Sequence, residues 1–271
     1  MLHSAVILAQ RDLIRFFRQR SRLIGAVGQP IVFWILFGSG LHATFDPPAW
    51  ADPSVTYQQF FLPGIIALIL LFTAIFSTIS IIEDRNSGFL QGVLVAPISR
   101  QSIVLGKLLG GTLIAMIQAI LFLLLGLVTA VLQGTTIPLA IASVPQFLLL
   151  IVVMILLAFA LTGLGFLIAW PMESTQGFHA VMSIVLMPMW LVSGAFFPSP
   201  GEGWLSWLMA INPMSYGVTA LQRLLLPVIE TQSQPGFQSL TFCMGLTTLF
   251  AGACYGISTW QVSRASAKNV R

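Results

Sequence analysis

The chain has 271 residues, 57% of them hydrophobic and 7% charged, with a formal net charge of +4 and a mean hydropathy of +0.93. That composition excludes a soluble globular domain and a disordered chain, and it implies an integral membrane protein. The basic balance does not point to nucleic acid, because there are only twelve Lys and Arg and they flank apolar runs. Apolar runs of about 20 residues recur, so helices rather than a β-barrel carry the crossings. Cys243 and Cys254 lie eleven residues apart in the last apolar block. On one helix that is a rise of about 16 Å, too far for a disulfide between them.

Residues 5–22 form a basic amphipathic segment. Arg11, Arg15, Arg18 and Arg22 recur at i, i+4, i+7 and i+11, while Val6, Ala9, Leu13, Phe16 and Phe17 gather opposite. The pattern predicts a helix (1–22) in the membrane interface, anchored by those four arginines on anionic headgroups; a simple topogenic charge cluster is compatible with it. The first apolar run follows an overlong basic region, so it reads as an uncleaved span over 23–41 rather than a signal peptide. Residues 42–57 carry three prolines, two aspartates and no Lys or Arg, as an external loop would. A second span is expected over 60–82.

The stretch from Glu83 to Lys107 is the long polar-to-amphipathic interruption on the basic side. Ser87 is expected to N-cap a short helix. Phe89, Leu90, Val93 and Leu94 then share a helical face, Pro97 stops the helix and holds Ala96 extended, and Ser99 caps the next one. An ordinary loop resting on headgroups and a helix docked on another protein both fit this pattern. The run carried by Asp84, Arg85, Gly88, Phe89, Leu90, Leu94, Val95, Ala96, Pro97, Ser99, Arg100, Gly106 and Lys107 resembles the cytoplasmic loop signature of ABC-2 type permeases, in particular the DrrB-like drug-export branch. Asn86 and Gln91 stand where that family often carries charge. The resemblance implies that 83–100 is a coupling segment, with Glu83, Asp84, Arg85, Gly88, Phe89, Leu90, Leu94, Pro97 and Arg100 facing a separate ATPase subunit. Phe89, Leu90 and Leu94 would fill a cleft on that partner, Gly88 would allow close backbone approach, and Pro97 would keep the helix end rigid.

Further spans are expected over 102–132, long enough to project beyond a bilayer, and over 147–170, 177–197 and 240–262. Residues 198–239 are too interrupted by Pro198, Pro200 and Pro213 for one crossing. Two short helices fit there, Trp204–Ile211 and Tyr216–Leu226, either as outer re-entrant half-helices or within a plain external loop. The run SGAFFP, followed by NP-M-SY and LQRLL, also resembles the ABC-2 family, in which two short helices dip in from the outer face. Six spans place Arg11, Arg15, Arg18, Arg20, Arg22, Arg85, Arg100, Lys107, Arg264, Lys268 and Arg271 on one side and only Arg223 opposite. The positive-inside rule then puts both termini and the coupling segment in the cytoplasm; the resemblance implies a bacterial inner membrane.

No ionisable residue falls in the middle of a predicted span, as an ion-coupled carrier would require. The chain has no phosphate loop, no HExxH and no paired cysteine ligands. The expectation is an all-α membrane domain over 1–271 that is not itself an enzyme, with no metal or cofactor of its own; ATP and Mg belong to the partner. Its function would be that of the permease subunit of an ATP-driven exporter, moving a lipophilic or amphipathic substrate out of the cytoplasm. The resemblance implies a second permease subunit, with a substrate path between the two lined by spans two and five. Thr73, Ser77, Ser80, Ser183 and Ser193 are the candidates there. Export of polysaccharide or lipid-linked glycan stays open, as does a non-transporting intramembrane enzyme or assembly factor.

Overall fold

The computed structural model describes residues 2–18, 28, 30–37, 40, 45–133, 143–196, 198, 203–227 and 237–264. Among them the chain is helical, without a strand. The elements are α1 (Leu2–Arg18), α2 (Tyr57–Ser77), α3 (Ile79–Asn86), α4 (Phe89–Val95), α5 (Arg100–Gln133), α6 (Val144–Ala169), α7 (Thr175–Trp190), a π turn (Leu191–Ala195), α8 (Trp204–Ile211), α9 (Pro213–Leu225) and α10 (Leu240–Arg264). A further helical stretch covers 30–37. Among the described residues five helices are long and apolar enough to cross a membrane: Tyr57–Asn86, Arg100–Leu125, Val144–Ala169, Thr175–Ala195 and Leu240–Arg264. The span expected over 23–41 lies partly outside the described residues, as do parts of 198–239.

The central element is α2. Every residue from Phe60 to Ile75 except Phe72 is buried, as expected of a helix that is apolar all round. A capping box starts it: the Thr56 side chain accepts from the Gln59 N–H at 3.4 Å, and the Thr56 N–H donates to Gln59 Oε1 at 2.9 Å. Helices α5 and α6, the π turn, α7 and α9 pack around α2. Small residues set the closest approaches. A Cβ at Gly111 would lie 2.3 Å from Ser77 Oγ and 2.5 Å from Thr162 Cγ2, and one at Gly64 would lie 2.5 Å from the Ala195 carbonyl oxygen. At its outset α5 follows the expected cap, with the Ser102 N–H donating to Ser99 Oγ at 3.2 Å. Its 34 residues span about 50 Å.

The last third of the structure is built around a break. After Pro188, α7 passes into the π turn, where Gly194 takes φ +82°. The backbone groups released there find side-chain partners. Asn212 Nδ2 donates to the carbonyls of Met189 (2.6 Å) and Val192 (3.2 Å), and Gln222 Nε2 donates to Gly194 O at 3.0 Å. Trp190 Nε1 donates to Gly64 O at 2.8 Å. Asn212 also caps α9, accepting from the Met214 N–H at 3.0 Å. The expected helix Tyr216–Leu226 therefore starts three residues earlier, at Pro213, whose fixed φ suits the first helical turn. Helix α8 has the expected bounds. It leaves Trp204, Trp207, Leu208 and Ile211 exposed, while α9 is largely buried.

The end of the molecule opposite α1 is closed by stacking. Trp50 lies on Phe237 with ring centroids 3.9 Å apart, and the Arg223 guanidinium sits 4.3 Å from the same Phe237 ring. Arg223 Nε donates to Gln238 O at 2.6 Å, and the Asp52 N–H donates to Pro227 O at 3.1 Å, so residues 45–57 are tied to both sides of the α9–α10 connection.

Candidate coupling site at the basic end

Helix α1 turns two of its arginines, Arg11 and Arg15, to acids of the protein. It buries a stripe of Ala5, Leu8, Ala9 and Asp12, residues at i, i+3, i+4 and i+7 that form one helical face. That stripe lies on α5, where Gly106 and Gly110 remove the side chains that would keep the backbones apart. A Cβ at Gly106 would stand 2.8 Å from both the Ala5 carbonyl oxygen and Leu8 Cβ. Beside the stripe, Arg11 and Arg15 reach α3. The exposed residues of α1 are Leu2, Val6, Ile7, Ile14 and Phe17 together with His3, Gln10 and Arg18.

Six charged residues meet at this junction. Asp84, fully buried on α3, receives Arg11 as a fork (Nη1 to Oδ2 at 2.9 Å, Nη2 to Oδ1 at 2.7 Å), Arg15 Nη1 at 2.9 Å and Lys107 Nζ at 2.6 Å. Lys107, buried on α5, also binds Asp12 at 2.9 Å and donates to Ser80 Oγ at 3.1 Å. Arg11 lies 3.3 Å from Asp12, and Arg15 pairs with Glu83 at 2.9 Å. Three acids (Asp12, Glu83, Asp84) face three bases (Arg11, Arg15, Lys107), so the group is formally neutral and can leave water without a lone charge. The hydrogen bond to Asp84 raises the Arg11 pKa above its ordinary value, against the opposing effect of burial.

This arrangement corrects the interfacial anchor. Arg11 and Arg15 bind within the protein; Arg18 is exposed, and Arg22 lies outside the described residues. Arg11, Arg15 and Arg18 do share one arc of α1, as the sequence pattern has them. The acids that neutralise them are up to 73 residues away in the chain, beyond any helical spacing. Asp12 carried the missing signal: an acid about 60° around the helix from Arg15, between the basic arc and the apolar side.

The coupling segment is likewise rearranged. Ser87 ends α3 instead of opening α4, its hydroxyl donating to Asp84 O at 3.2 Å. Gly88 starts α4 at φ +75°, with the Gly88 N–H donating to Arg85 O at 3.0 Å. Nothing lies within 4 Å of a Cβ built there. Within the chain the glycine is needed for its left-handed backbone. Ala96 is extended ahead of Pro97, as its position before a proline requires.

Leu90 and Leu94 turn into this chain's own core, which contradicts their placement on a partner. Phe89 is half-buried beneath Arg11, whose guanidinium stands 3.6 Å from the ring centroid. Arg85 and Arg100 are also engaged within the chain: Arg85 Nη1 donates to Met172 O at 2.9 Å, Arg85 Nη2 donates to Trp170 O, and Arg100 Nη1 donates to Leu94 O at 3.1 Å. What α4 and the turn after it leave outward is Gly92, Val95, Pro97 and Ser99, with Val95 74% exposed.

The candidate path residues do not share a surface. Thr73 is buried and donates to Gln118 Oε1, Ser80 accepts from Lys107, and Ser193 is buried and donates to Trp190 O at 2.5 Å. Ser77 is half-buried, its hydroxyl turned to Ala74 O at 2.6 Å. Ser183 alone is exposed, on α7. The four others lie inside helix contacts because a hydroxyl in an apolar span finds a carbonyl or a polar neighbour more readily than lipid. No group of three or more His, Cys, Asp and Glu that could hold a metal occurs among the described residues.

These features define a polytopic all-α membrane protein with a docked amphipathic helix and a short loop helix at its basic end. The chain belongs to the ABC-2 type transporter family, whose family model matches residues 3–226. It is 28% identical over 221 residues to a protein of Cyanophora paradoxa named as a transport permease, ycf38, covering 80% of this chain and 72% of that one. It is 29% identical over 171 residues to YbhR of Escherichia coli K12, named as a multidrug ABC transporter permease, covering 62% of this chain and 44% of that one. It is 26% identical over 216 residues to the daunorubicin resistance ABC transporter permease protein DrrB1 of Streptomyces coeruleorubidus, covering 79% of this chain and 72% of that one.

Proposed function

We propose that the chain is the membrane subunit of an ATP-driven exporter that moves a lipophilic or amphipathic substrate out of the cytoplasm. The observation that carries this reading is α4. It is a short helix fixed to the protein by Leu90, Leu94 and the Arg11–Phe89 contact, and with the turn after it, it keeps a free side of Gly92, Val95, Pro97 and Ser99. A separate ATPase subunit holding ATP and Mg docks on that side. The basic end is cytoplasmic, a reading that the distribution of Lys and Arg supports, and the membrane is the bacterial inner membrane. A second permease subunit faces the exposed side of α7, where Ser183, Ile184 and Val185 lie open, and the substrate passes between the two copies. The near-absence of charge deeper in the spans favours an apolar or amphipathic cargo over a small ion. Relatives named for multidrug transport and daunorubicin resistance support this choice.

The test is copurification with an ATPase subunit, followed by ATP turnover in lipid vesicles. The reading predicts a stable complex whose turnover depends on the permease. A permease that purifies folded, binds no ATPase and leaves turnover unchanged would contradict it.

A further inference from the structure

Asp84 and Arg85 are consecutive on the last turn of α3, about 100° apart around the helix. They therefore serve different neighbours. Asp84 holds α1 and α5. Arg85 turns to the connection between α6 and α7, where it donates to the carbonyls of Trp170 and Met172 and lies 5.6 Å from the Trp170 ring centroid. Trp170 is the C-cap of α6, so a cation and two donors from α3 sit where the α6 dipole is negative and its last carbonyls lack helical partners. Arg85 Nε is buried without a hydrogen-bond partner among the described residues. That is a cost a purely static cap would avoid.

The helix that follows is suited to being moved from this end. α7 buries one stripe, Phe178, Met182, Leu186 and Trp190, and leaves Ala180, Val181, Ser183, Ile184 and Val185 exposed. Its far end is pinned at the π turn by Asn212, Gln222 and Trp190. Its near end starts at Ser174, whose hydroxyl accepts from the Gly177 N–H at 3.3 Å, only four residues past Trp170. A shift of α3 and α4 thus has, beside the direct packing of α3 on α7, a polar route to α7 through the two carbonyls that Arg85 holds.

We propose that Arg85 is the positioning residue that transmits movement of the α3–α4 segment to α7, acting through the Trp170–Ser174 turn. The inference rests on the ATP-driven permease reading. It changes the role of Arg85 from a contact on the ATPase to a link inside the permease.

The experiment uses the permease with its ATPase subunit in lipid vesicles, with Ala180→Cys as a reporter on α7. The native Cys243 and Cys254 are buried. The rate of maleimide reaction at position 180 is measured with and without Mg-ATP, alongside ATP turnover. In the reporter protein, ATP should change the rate several-fold. Adding Arg85→Met, which keeps the stem and removes the donors, should abolish the change while the complex and its ATP turnover persist. Arg85→Lys should restore part of it. An unaltered ATP-dependent change in Arg85→Met overturns the inference. So does a reporter that never responds in a complex that hydrolyses ATP. Failure of both Arg85 variants to accumulate also overturns it, because Arg85 would then be a cap that holds the fold. Absence of an ATPase complex in the reporter protein itself defeats the permease reading, and the inference with it.

Discussion

Asp84 receives three cations on one fully buried carboxylate, and the consequences of removing it follow from what it leaves behind. In Asp84→Asn, Arg11, Arg15 and Lys107 keep their charges against only Asp12 and Glu83. Breaking one side of a buried pair costs about 3–5 kcal/mol. The lower end applies, since Arg11 and Arg15 are each about a third exposed and can recover water. We expect a loss of about 3 kcal/mol, read as a lower unfolding midpoint of the purified protein in detergent, together with faster proteolysis within α1. A midpoint equal to wild type would mean that the cluster adds nothing to the docking of α1. Asp84 and Lys107 were both legible as members of one sequence run. Their pairing with Asp12 and Arg11 was not, because contacts across 73 to 95 residues leave no periodic trace.

Among the elements, α1 shows most plainly what periodicity conveys and what it misses. The arc of arginines was correct, but the side facing the protein is fixed by its complement, the Gly106 and Gly110 surface of α5. Gly106→Val places a Cβ 2.8 Å from the Ala5 carbonyl and Leu8 Cβ, so α1 has to withdraw and stretch the Lys107–Asp12 contact with it. Overpacking of this kind costs roughly 1–3 kcal/mol. Gly92→Ala on α4 meets nothing within 4 Å, and helix propensity favours it by up to about 1 kcal/mol. The expected outcome is a lower unfolding midpoint for Gly106→Val and an equal or higher one for Gly92→Ala. Equal losses in the two would mean that α1 and α5 are not closely packed. The position of α4 was legible from Pro97 and the leucine spacing. Its orientation was not, since an i, i+4 leucine pair looks the same whether it docks on a partner or on its own chain.

At the scale of the whole molecule, the composition and the apolar runs were enough to specify an all-α membrane domain. The Asn212–Pro213 punctuation was enough to place a helix boundary beside α8. The path candidates were less legible because a hydroxyl in a span reads alike whether it faces a conduit or bonds a carbonyl one turn back. The central claim is that the free side of α4 is a cytoplasmic docking surface for an ATPase. A cysteine at Val95, carried in a membrane that also holds the ATPase subunit, tests it most directly. The account predicts that a short bifunctional thiol-to-amine cross-linker, added to inside-out vesicles, joins position 95 to the ATPase. It also predicts that an impermeant maleimide outside intact cells leaves position 95 unlabelled while labelling a cysteine at Ser54. Labelling of position 95 from outside, or the absence of any ATPase adduct at 95 in a complex that copurifies, would contradict it.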